Sequence, residues 1–208
     1  MSEITKAIES IRASIERVGM SGRDTVYLDN VSFRVSATSF DVPRGADLSA
    51  AREDFEWFLA CEDYRGELAH PNHQKSWWLK QFGDDAPPYG YTWDLHALCD
   101  ALTLQGLERR AILVNPMSPY PACILCYQFQ VVKHTQEGPL LDITVTMRSS
   151  DVVNCLPQDV LMTQLLLWHV AERVGMRPGV MTFNIGNAHI YWEDLDLLDE
   201  GVIYDMSL

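Results

Sequence analysis

The stretch Tyr120-Pro-Ala-Cys-Ile-Leu-Cys-Tyr-Gln-Phe129 places a thiol just after a proline, at the start of a run that continues through Gln128-Phe-Gln-Val-Val132. The aromatic and β-branched residues of this run favour a β-strand. A cysteine at the start of a strand can be aimed at an electrophile, because its backbone is held in place. A lone cysteine in a strand is more often a packed apolar group. The stretch alone leaves both interpretations open.

Polar and charged residues lie on both sides of this strand in the sequence. Downstream, Met147-Arg-Ser-Ser-Asp-Val152 brings one cation, two hydroxyls and one carboxylate close together. Upstream, Arg109 and Arg110 stand at the beginning of a predicted strand. Because adjacent residues of a strand point to opposite faces, one arginine can serve the fold and the other a ligand.

Composition excludes several classes of partner. The 208 residues, 47% of them hydrophobic, predict a single domain spanning residues 1–208. The formal net charge of −13 argues against a nucleic-acid polymer, although a few local arginines can still hold one phosphate. Five irregularly spaced cysteines without a leader indicate a reducing, cytoplasmic compartment. No apolar run approaches membrane-spanning length, so no membrane partner is predicted.

Hydrophobic periodicity predicts an α+β chain. Helices are expected at 2–18, 48–61, 95–107 and 158–174, and strands at 25–28, 31–36, 108–114, 123–132, 140–147 and 180–185. The strands on either side of Asp29-Asn30 predict a β-hairpin. The first helix has a capped N-terminus and one apolar side, formed by Ile4, Ala7, Ile8, Ile11, Ile15 and Val18.

Residues 62–92 are rich in aromatic residues and interrupted by Pro and Gly, which predicts a long functional loop. His70 and His73 within it are spaced like a possible metal pair, but no carboxylate or cysteine stands at matching zinc spacing, and no metal site is predicted. The sequence has no Gly-rich phosphate loop and no Gly-x-Ser-x-Gly motif. ATP, NAD and the common serine hydrolases are therefore disfavoured.

The order and spacing of several motifs resemble the thymidylate synthase family over most of the chain. These motifs are Asp54-Phe-Glu-Trp-Phe-Leu59, Pro88-Tyr-Gly90, Arg109-Arg110, Pro-x-Cys-x-x-x-x-Gln-Phe from Pro121 to Phe129, Arg148-Ser-Ser-Asp-Val152, Leu156-Pro157, Gly179, and Gly186-x-Ala-His-Ile-Tyr191. The resemblance implies an α+β fold with a mixed β-sheet flanked by helices, and a homodimer packed through that sheet.

The resemblance also implies covalent catalysis on a pyrimidine nucleotide. Cys123 would attack carbon 6 of the ring, and carbon 5 would then take the one-carbon unit of 5,10-methylenetetrahydrofolate. Neighbouring arginines are expected to lower the pKa of the Cys123 thiol.

The resemblance also implies roles for the residues of this sequence that match the family's other site positions. The expected substrate-binding residues are Arg23, Arg148 and Ser149 at the phosphate, with Arg109 and Arg110 reaching in from a partner subunit, His189 and Tyr191 at the sugar, and also Gln128. The expected folate-side residues are Asp54, Asp151, Trp77 and Trp78, and the residues expected to be catalytic beside Cys123 are Asp54, Asp151 and Tyr89.

One departure from the family pattern concerns the base. Asp159 stands where thymidylate synthases have an Asn that pairs with uracil. A carboxylate accepts from the amino group of cytosine, and from its ring nitrogen once that nitrogen is protonated. In this respect the chain resembles the deoxycytidylate hydroxymethylases of the family, in which water adds to the exocyclic methylene. The alternative is that Asp159 only supports the first turn of its helix.

Other departures concern the folate side. Ile124 follows the cysteine where the family has His, Asp54 replaces Glu, Met147 replaces Gln and Asn187 replaces Asp. The chain ends at Leu208, where the family continues, and we expect the loss of a closing segment to favour hydration.

The sequence therefore predicts a hydroxymethyltransferase acting on dCMP or CMP with methylenetetrahydrofolate. Two alternatives remain: a nucleotide-binding relative without methylene transfer, and a dUMP methylase.

Overall fold

A seven-stranded mixed β-sheet organises the chain. The computed structural model describes residues 1–60, 89–104, 108–116, 122–132 and 138–199. The helices in this part are α1 (Glu3–Val18), α2 (Leu48–Ala60), α3 (Leu95–Thr103), α4 (Leu156–Arg173) and α5 (Trp192–Asp199), with 3-10 turns at Tyr89–Thr92 and Glu108–Arg110. The strands are β1 (Met20–Ser21), β2 (Thr25–Ser36), β3 (Ile112–Val114), β4 (Ile124–Val132), β5 (Leu140–Met147), β6 (Ser150–Asp151) and β7 (Arg177–Tyr191).

The sheet combines parallel and antiparallel pairs. Its strand order is β1-β2-β7-β5-β4-β3, and β6 also pairs with β7. β7 runs antiparallel to β2 and parallel to β5, and β4 runs antiparallel to both β5 and β3. The predicted α+β fold with a mixed sheet flanked by helices is confirmed.

Alternating side chains decide which face of the sheet is covered. Along β5 the residues Leu141, Ile143 and Val145 are buried, and the residues between them are only half-buried. This period of two is the pattern of a strand with one face on the core. Phe33 of β2 stacks on Phe183 of β7 with ring centroids 4.9 Å apart. α1 packs on β2, and α4 packs on β5 and β7.

The opposite face of the sheet is largely polar. Its side chains are half-buried or exposed, and they come from five adjacent strands. They include Ser32, Arg34, Ile112, Val114, Gln128, Gln130, Thr144, Thr146, Thr182 and Asn184.

The predicted hairpin at Asp29-Asn30 is wrong. Residues Thr25–Ser36 form one continuous strand, paired with β7 along its whole length. Asn30 has a φ of 56°, a left-handed conformation that Asn tolerates better than most residues. The pairing skips only this position, between Asp29↔Asn187 and Val31↔Ile185. Turn-forming residues here therefore produce a local irregularity, because a fifteen-residue partner strand holds both halves in line.

Several element boundaries also differ from the prediction. The last strand begins at Arg177 and ends at Tyr191, so it is longer than the predicted 180–185. α4 begins at Leu156, since Pro157 is tolerated in the first turn of a helix. Arg109 and Arg110 lie in a 3-10 turn before β3, where a strand was expected. α5 has no counterpart in the prediction.

The first helix agrees with its prediction. The Ser2 hydroxyl accepts a hydrogen bond from the Thr5 N–H at 3.1 Å, which caps the helix. The four isoleucines of the apolar side are buried, whereas Val18, at the end of the helix, is 61% exposed. Most of the predicted loop at 62–92 lies outside the described residues. Its last four residues form the 3-10 turn at Tyr89–Thr92.

No helix within the described parts of the chain is long and apolar enough to cross a membrane.

Replacing Phe183 with alanine is expected to lower the free energy of unfolding by about 3–5 kcal/mol, because it leaves a cavity beneath Phe33. Urea denaturation followed by circular dichroism measures the loss. The matched control is Phe40→Ala, since Phe40 is 37% exposed and its loss should cost roughly 1 kcal/mol or less. Equal losses would contradict a core centred on the β2–β7 pair.

Candidate active site around Cys123 and Asp159

Cys123 lies immediately before β4, beside the end of β5. Its backbone carbonyl accepts a hydrogen bond from the N–H of Arg148 at 2.9 Å. The Arg148 side chain then turns back toward the thiol. Its Nη2 lies 3.6 Å from the Cys123 Sγ, and its Nε donates to the carbonyl of Ala122 at 3.2 Å. Nη1 donates to the Ser149 hydroxyl at 3.0 Å. The fold thus brings the predicted nucleophile, cation and hydroxyl together.

The ionisation of Cys123 differs from the expectation. Burial and the negative charge of Asp159 raise the pKa of the thiol, while Arg148 and a hydrogen bond from Ser149 lower it. Arg148 thus lowers the pKa of the thiol as expected, but the raising effects are larger, so the net pKa is raised and the expected preference for thiolate is not met in the ligand-free protein. The physical reason is that one guanidinium does not offset a desolvated thiol facing two carboxyl groups.

Asp159 is the most perturbed acid of the site. Its side chain is 5% exposed. Burial, and then the charge of Asp151, raise its pKa from 3.8 to about 8. At neutral pH the carboxyl group therefore keeps its proton in most molecules. The hydrogen bonds among the described residues include none to its carboxyl oxygens, whereas its backbone is tied into α4 by Thr163 and Cys155.

The raised pKa bears on the alternative role of Asp159. An acid that stabilises the first turn of a helix does so through its negative charge, which lowers its pKa. The pKa of Asp159 moves in the opposite direction. The helix-supporting interpretation is therefore disfavoured.

Two buried tyrosines lie close to Asp159. The pKa of Tyr89 is raised by burial, by Asp159 and by Cys123, so its hydroxyl faces both groups. The pKa of Tyr127, on β4, is raised by burial and by Asp159. Both phenols remain protonated at physiological pH. The structure thus places the predicted Tyr89 in the site and adds Tyr127, which the sequence motifs did not indicate.

Asp151 forms the turn that leads into α4. Its Oδ1 accepts the N–H groups of Val153 at 2.9 Å and Asn154 at 3.1 Å, and its Oδ2 accepts the Asn154 amide at 2.9 Å. The same amide nitrogen donates to Asp194 on α5 at 3.0 Å. Asp151 therefore lies in the site, where its charge affects Cys123 and Asp159, and most of its acceptor capacity is used by its own turn.

His189 and Tyr191 lie at the end of β7 beside this turn. Asp151 pairs with His189 across the β6–β7 ladder. The rings of His189 and Tyr191 are edge to face with centroids 5.3 Å apart. The Nδ1 atom of His189 is 3.2 Å from the Asn187 amide oxygen. Burial and Asp151 raise the pKa of Tyr191. The predicted sugar-binding pair is thus adjacent to Asp151.

Arg23 is exposed in the bend before β2. Thr25 of β2 pairs with Tyr191, and the neighbouring Asp24 carbonyl accepts the Trp192 N–H at 3.1 Å. Arg23 therefore lies at the same end of the sheet as Tyr191.

The structure does not bring Arg109, Arg110 and Gln128 to Cys123 within one chain. Phe129 donates its N–H to the carbonyl of Ala111, so the 3-10 turn with both arginines lies beside the middle of β4. At about 3.4 Å per residue, this position is roughly 20 Å from Cys123. Both arginines are exposed, and Gln128 is exposed on the polar face of the sheet.

The folate-side expectations are only partly covered by the structure. Asp54 is buried on α2, at 2% exposure. Trp77 and Trp78 lie outside the described residues, as do His70 and His73. Within the described ranges, no group of three or more His, Cys, Asp or Glu side chains could hold a metal ion.

Sequence patterns missed the polar residues that support the site. Asn154 and Asp194 interact only because α5 folds back onto the turn before α4. An acid in the first turn of α5 was the one available signal, since acids are favoured there. Asn115, which follows β3 and is 1% exposed, carried no motif at all.

The Cys123 thiol, the Arg148 guanidinium and the buried carboxyl group of Asp159 thus lie near one another at the ends of β4 and β5 and the start of α4. The family model described as thymidylate synthase matches residues 12–204, and the chain belongs to this family. The thymidylate synthase of Mycoplasma pneumoniae is 28% identical over 160 residues. This alignment covers 68% of the present chain and 54% of the relative, so the chain matches about half of that protein's length.

Replacing Asp159 with asparagine is expected to stabilise the protein increasingly as the pH rises from 5 to 8. The folded state holds the proton up to about pH 8, whereas the unfolded chain releases it near pH 4, so the wild type loses stability across this window. The upper limit is about 1.4 kcal/mol per pH unit. Urea unfolding at pH 5, 6.5 and 8 measures the difference.

The matched control for this experiment is Glu16→Gln, because Glu16 is exposed on α1. Its difference from the wild type should not change with pH. A constant difference between Asp159→Asn and the wild type at all three values would show that Asp159 ionises normally.

Proposed function

We propose that this protein transfers a one-carbon unit to carbon 5 of a cytosine nucleotide and releases a 5-hydroxymethyl product. The observation that carries the proposal is Asp159: a buried carboxyl group with a pKa of about 8, without a hydrogen bond to its oxygens from the described residues, close to Cys123. A protonated carboxyl group in this position can offer both an O–H donor and a carbonyl acceptor to a ring bound beside the thiol.

A neutral carboxyl group suits cytosine. Its O–H can donate to the ring nitrogen, and its carbonyl oxygen can accept from the exocyclic amino group. The pairing with uracil would require the O–H to donate to the weakly basic O4, so cytosine is preferred. This is the position at which the sequence resembles the deoxycytidylate hydroxymethylase branch. Asparagine at the same position would instead accept from the uracil N–H and donate to O4.

The same proton serves the covalent step. The Cys123 thiol first loses its proton to water. When the resulting thiolate bonds to carbon 6, electron density moves toward the ring nitrogen, which takes the proton from Asp159. Arg148, 3.6 Å from the sulfur, stabilises the thiolate as it forms. Because the thiol has a raised pKa in the free protein, we expect attack to require bound nucleotide. Carbon 5 then becomes nucleophilic.

The phosphate is assigned to Arg148, Ser149 and Arg23, and the sugar to His189 and Tyr191. Arg148 and Ser149 are already in contact, and a guanidinium fork suits a phosphate dianion. The ribose or deoxyribose form is decided by the space around His189 and Tyr191.

The donor of the one-carbon unit is assigned as methylenetetrahydrofolate. Asp54 and Asp151 provide carboxylates that fit the N–H groups of a pterin, and one oxygen of the neighbouring Glu53 is buried without a partner among the described residues. The bound cofactor supplies a methylene group at the oxidation level of formaldehyde. Loss of the carbon 5 proton and departure of tetrahydrofolate would leave an exocyclic methylene. Hydroxide from water would add to it to give the hydroxymethyl group, and the Cys123 sulfur would leave carbon 6 as thiolate, which restores the double bond between carbons 5 and 6.

We also assign the active form as a homodimer packed through the polar face of the sheet. Arg109 and Arg110 are exposed and roughly 20 Å from Cys123 along β4. They reach a phosphate only if they serve the site of a second copy. The small polar side chains of this face, with exposed Ile112 and Val114 at its edge, support close packing of two sheets.

Incubation with dCMP, CMP or dUMP tritiated at carbon 5 tests the reaction. We expect tritium release from a cytosine nucleotide that requires methylenetetrahydrofolate, with a 5-hydroxymethyl product identified by mass spectrometry. Above about pH 8, affinity for the cytosine nucleotide should fall about tenfold per pH unit, since Asp159 loses its proton. Asp159→Asn should shift preference toward dUMP.

Each of the other outcomes names a different activity. Turnover of dUMP alone by the wild type would identify a methylase. Nucleotide binding without tritium release from any substrate would identify a relative without methylene transfer.

The matched control for Asp159→Asn is Asp100→Asn, which removes an exposed acid on α3 and should leave base preference unchanged.

The homodimer assignment is tested by complementation between inactive variants. Cys123→Ser and the double variant Arg109→Ala/Arg110→Ala should each lose tritium release. After mixing, unfolding and joint refolding, hybrid dimers carry one intact site, and activity should return to about one quarter of the wild type on statistical grounds. No recovery, with both variants folded and dimeric by light scattering, would place both arginines outside the site.

A further inference from the structure

The backbone on either side of Cys123 is held through four consecutive carbonyl groups, those of residues 122–125. Arg148 binds the first two. Its Nε donates to the Ala122 carbonyl at 3.2 Å, and its backbone N–H donates to the Cys123 carbonyl at 2.9 Å. In the proposed function the same guanidinium also binds the phosphate and stabilises the thiolate. The other two carbonyls are bound by a residue that has no role in the proposed chemistry.

Asn115, immediately after β3, binds these two carbonyls. Its Nδ2 donates to the Ile124 carbonyl at 2.9 Å, and its backbone N–H donates to the Leu125 carbonyl at 3.0 Å. Asn115 is 1% exposed, and the Trp93 indole N–H donates to its Oδ1 at 2.7 Å. The indole can only donate and the backbone carbonyl can only accept, so these two partners together fix the orientation of the amide.

Both carbonyls belong to a β-bulge that follows Cys123. β4 advances two residues, from Ile124 to Cys126, while its partner strand β5 advances one, so Leu125 is the extra residue. A bulge interrupts the ladder and shifts the alternation of side chains, so it decides how the chain before it is directed. Asn115 supplies two donors to this bulge from the neighbouring strand.

We propose that Asn115 is a positioning residue, which holds the bulge at Leu125 and thereby keeps the Cys123 sulfur directed at carbon 6 of a bound pyrimidine ring. The inference rests on the proposed function, in which Cys123 is the nucleophile. A displacement of about 1 Å at a reacting atom can slow a reaction about a hundredfold while the substrate still binds. Asn115 acts on the reaction through the backbone of β4, and Trp93 acts through Asn115.

Leucine at position 115 is close to asparagine in size and removes both side-chain hydrogen bonds, so Asn115→Leu tests the anchor. We expect kcat for tritium release to fall roughly tenfold to a hundredfold. The nucleotide Kd, measured by calorimetry, should stay within about twofold of the wild type, because the phosphate and sugar contacts are assigned to other residues. Trp93→Phe removes only the indole N–H and should give a smaller loss of kcat, again without a change in Kd.

The matched control is Gln164→Leu. Gln164 is a fully buried amide on α4, and its Nε2 donates to the Ser39 carbonyl at 3.1 Å. Its loss should lower the melting temperature as Asn115→Leu does, but it should leave kcat of the folded protein unchanged. A merely structural role for Asn115 would give the same result in both variants. A kcat that stays at the wild-type value in Asn115→Leu, or that falls together with nucleotide affinity, overturns the inference.

Alkylation of Cys123 by iodoacetamide tests the anchor without a substrate, with the modified cysteine identified by tandem mass spectrometry. Burial is the main cause of the raised pKa of this thiol, so a thiol that moves out of its position becomes better solvated and more often ionised. In Asn115→Leu we expect Cys123 to react about fivefold faster or more at neutral pH. Cys155 is the internal reference, because burial also raises the pKa of its thiol, and its rate should not change.

The two measurements separate the inference from the proposed function. If the wild type releases no tritium from any nucleotide, the proposed function fails, and the alkylation rates alone decide the role of Asn115. Equal acceleration of Cys123 and Cys155 would show general loosening and overturns the inference, as does an unchanged rate at Cys123. If the wild type is active, the inference requires both the selective acceleration and the loss of kcat at unchanged Kd. If Asn115→Leu does not fold, Trp93→Phe decides by the same criteria.

Discussion

The hydrogen bond from the Arg148 N–H to the Cys123 carbonyl determines the composition of the site. It continues the antiparallel ladder of β4 and β5 past the last strand residue, and it joins two segments 25 residues apart. With this bond formed, the Arg148 guanidinium lies against the Cys123 thiol and the Ser149 hydroxyl. The next residues, 150–151, are then delivered to the edge of β7. The positions of the Cys123 thiol, the Arg148 guanidinium and the turn that carries Asp151 therefore follow from one ladder.

Charge balance in this site is unusual. Two carboxyl groups and a thiol share a poorly solvated region with one close guanidinium. Full ionisation would place three negative charges around a single positive one, so one or more groups must keep a proton. Asp159 is the most deeply buried of the acids and keeps its proton to about pH 8. Asp151 accepts three N–H hydrogen bonds within its own turn. The two acids thus differ through their hydrogen bonds.

Much of the fold could be predicted from the sequence, because the period-two pattern is strong in β5 and the period-3.6 pattern in α1, and because α4 is a long apolar run. The hairpin at Asp29-Asn30 could not, since local turn chemistry gives no sign of the long β7 that holds both halves straight. Within the site, Cys123, Arg148 and Asp159 were recognisable from motif order. The rise in the pKa of the Cys123 thiol could not be predicted, because it comes mainly from burial, which depends on the tertiary fold. The Asn154 bridge and the Tyr127 contacts likewise depend on elements that meet only in the folded chain.

The length of β7 also has a consequence for folding. β5 meets β7 after a single helix, so that pairing is comparatively local. β2 meets β7 across some 150 residues of sequence, and among the described strands its one other partner is the two-residue β1. A chain growing from its amino terminus therefore carries β2 as an open, Val- and Phe-bearing edge until nearly the whole domain has been synthesised. Polar residues alternate with the apolar ones along β2 and reduce self-association of that edge before β7 pairs with it. They are Asp29, Asn30, Ser32 and Arg34. Pairing of β2 with β7 thus joins segments far apart in the sequence, and it coincides with the arrival of His189 and Tyr191 beside Asp151.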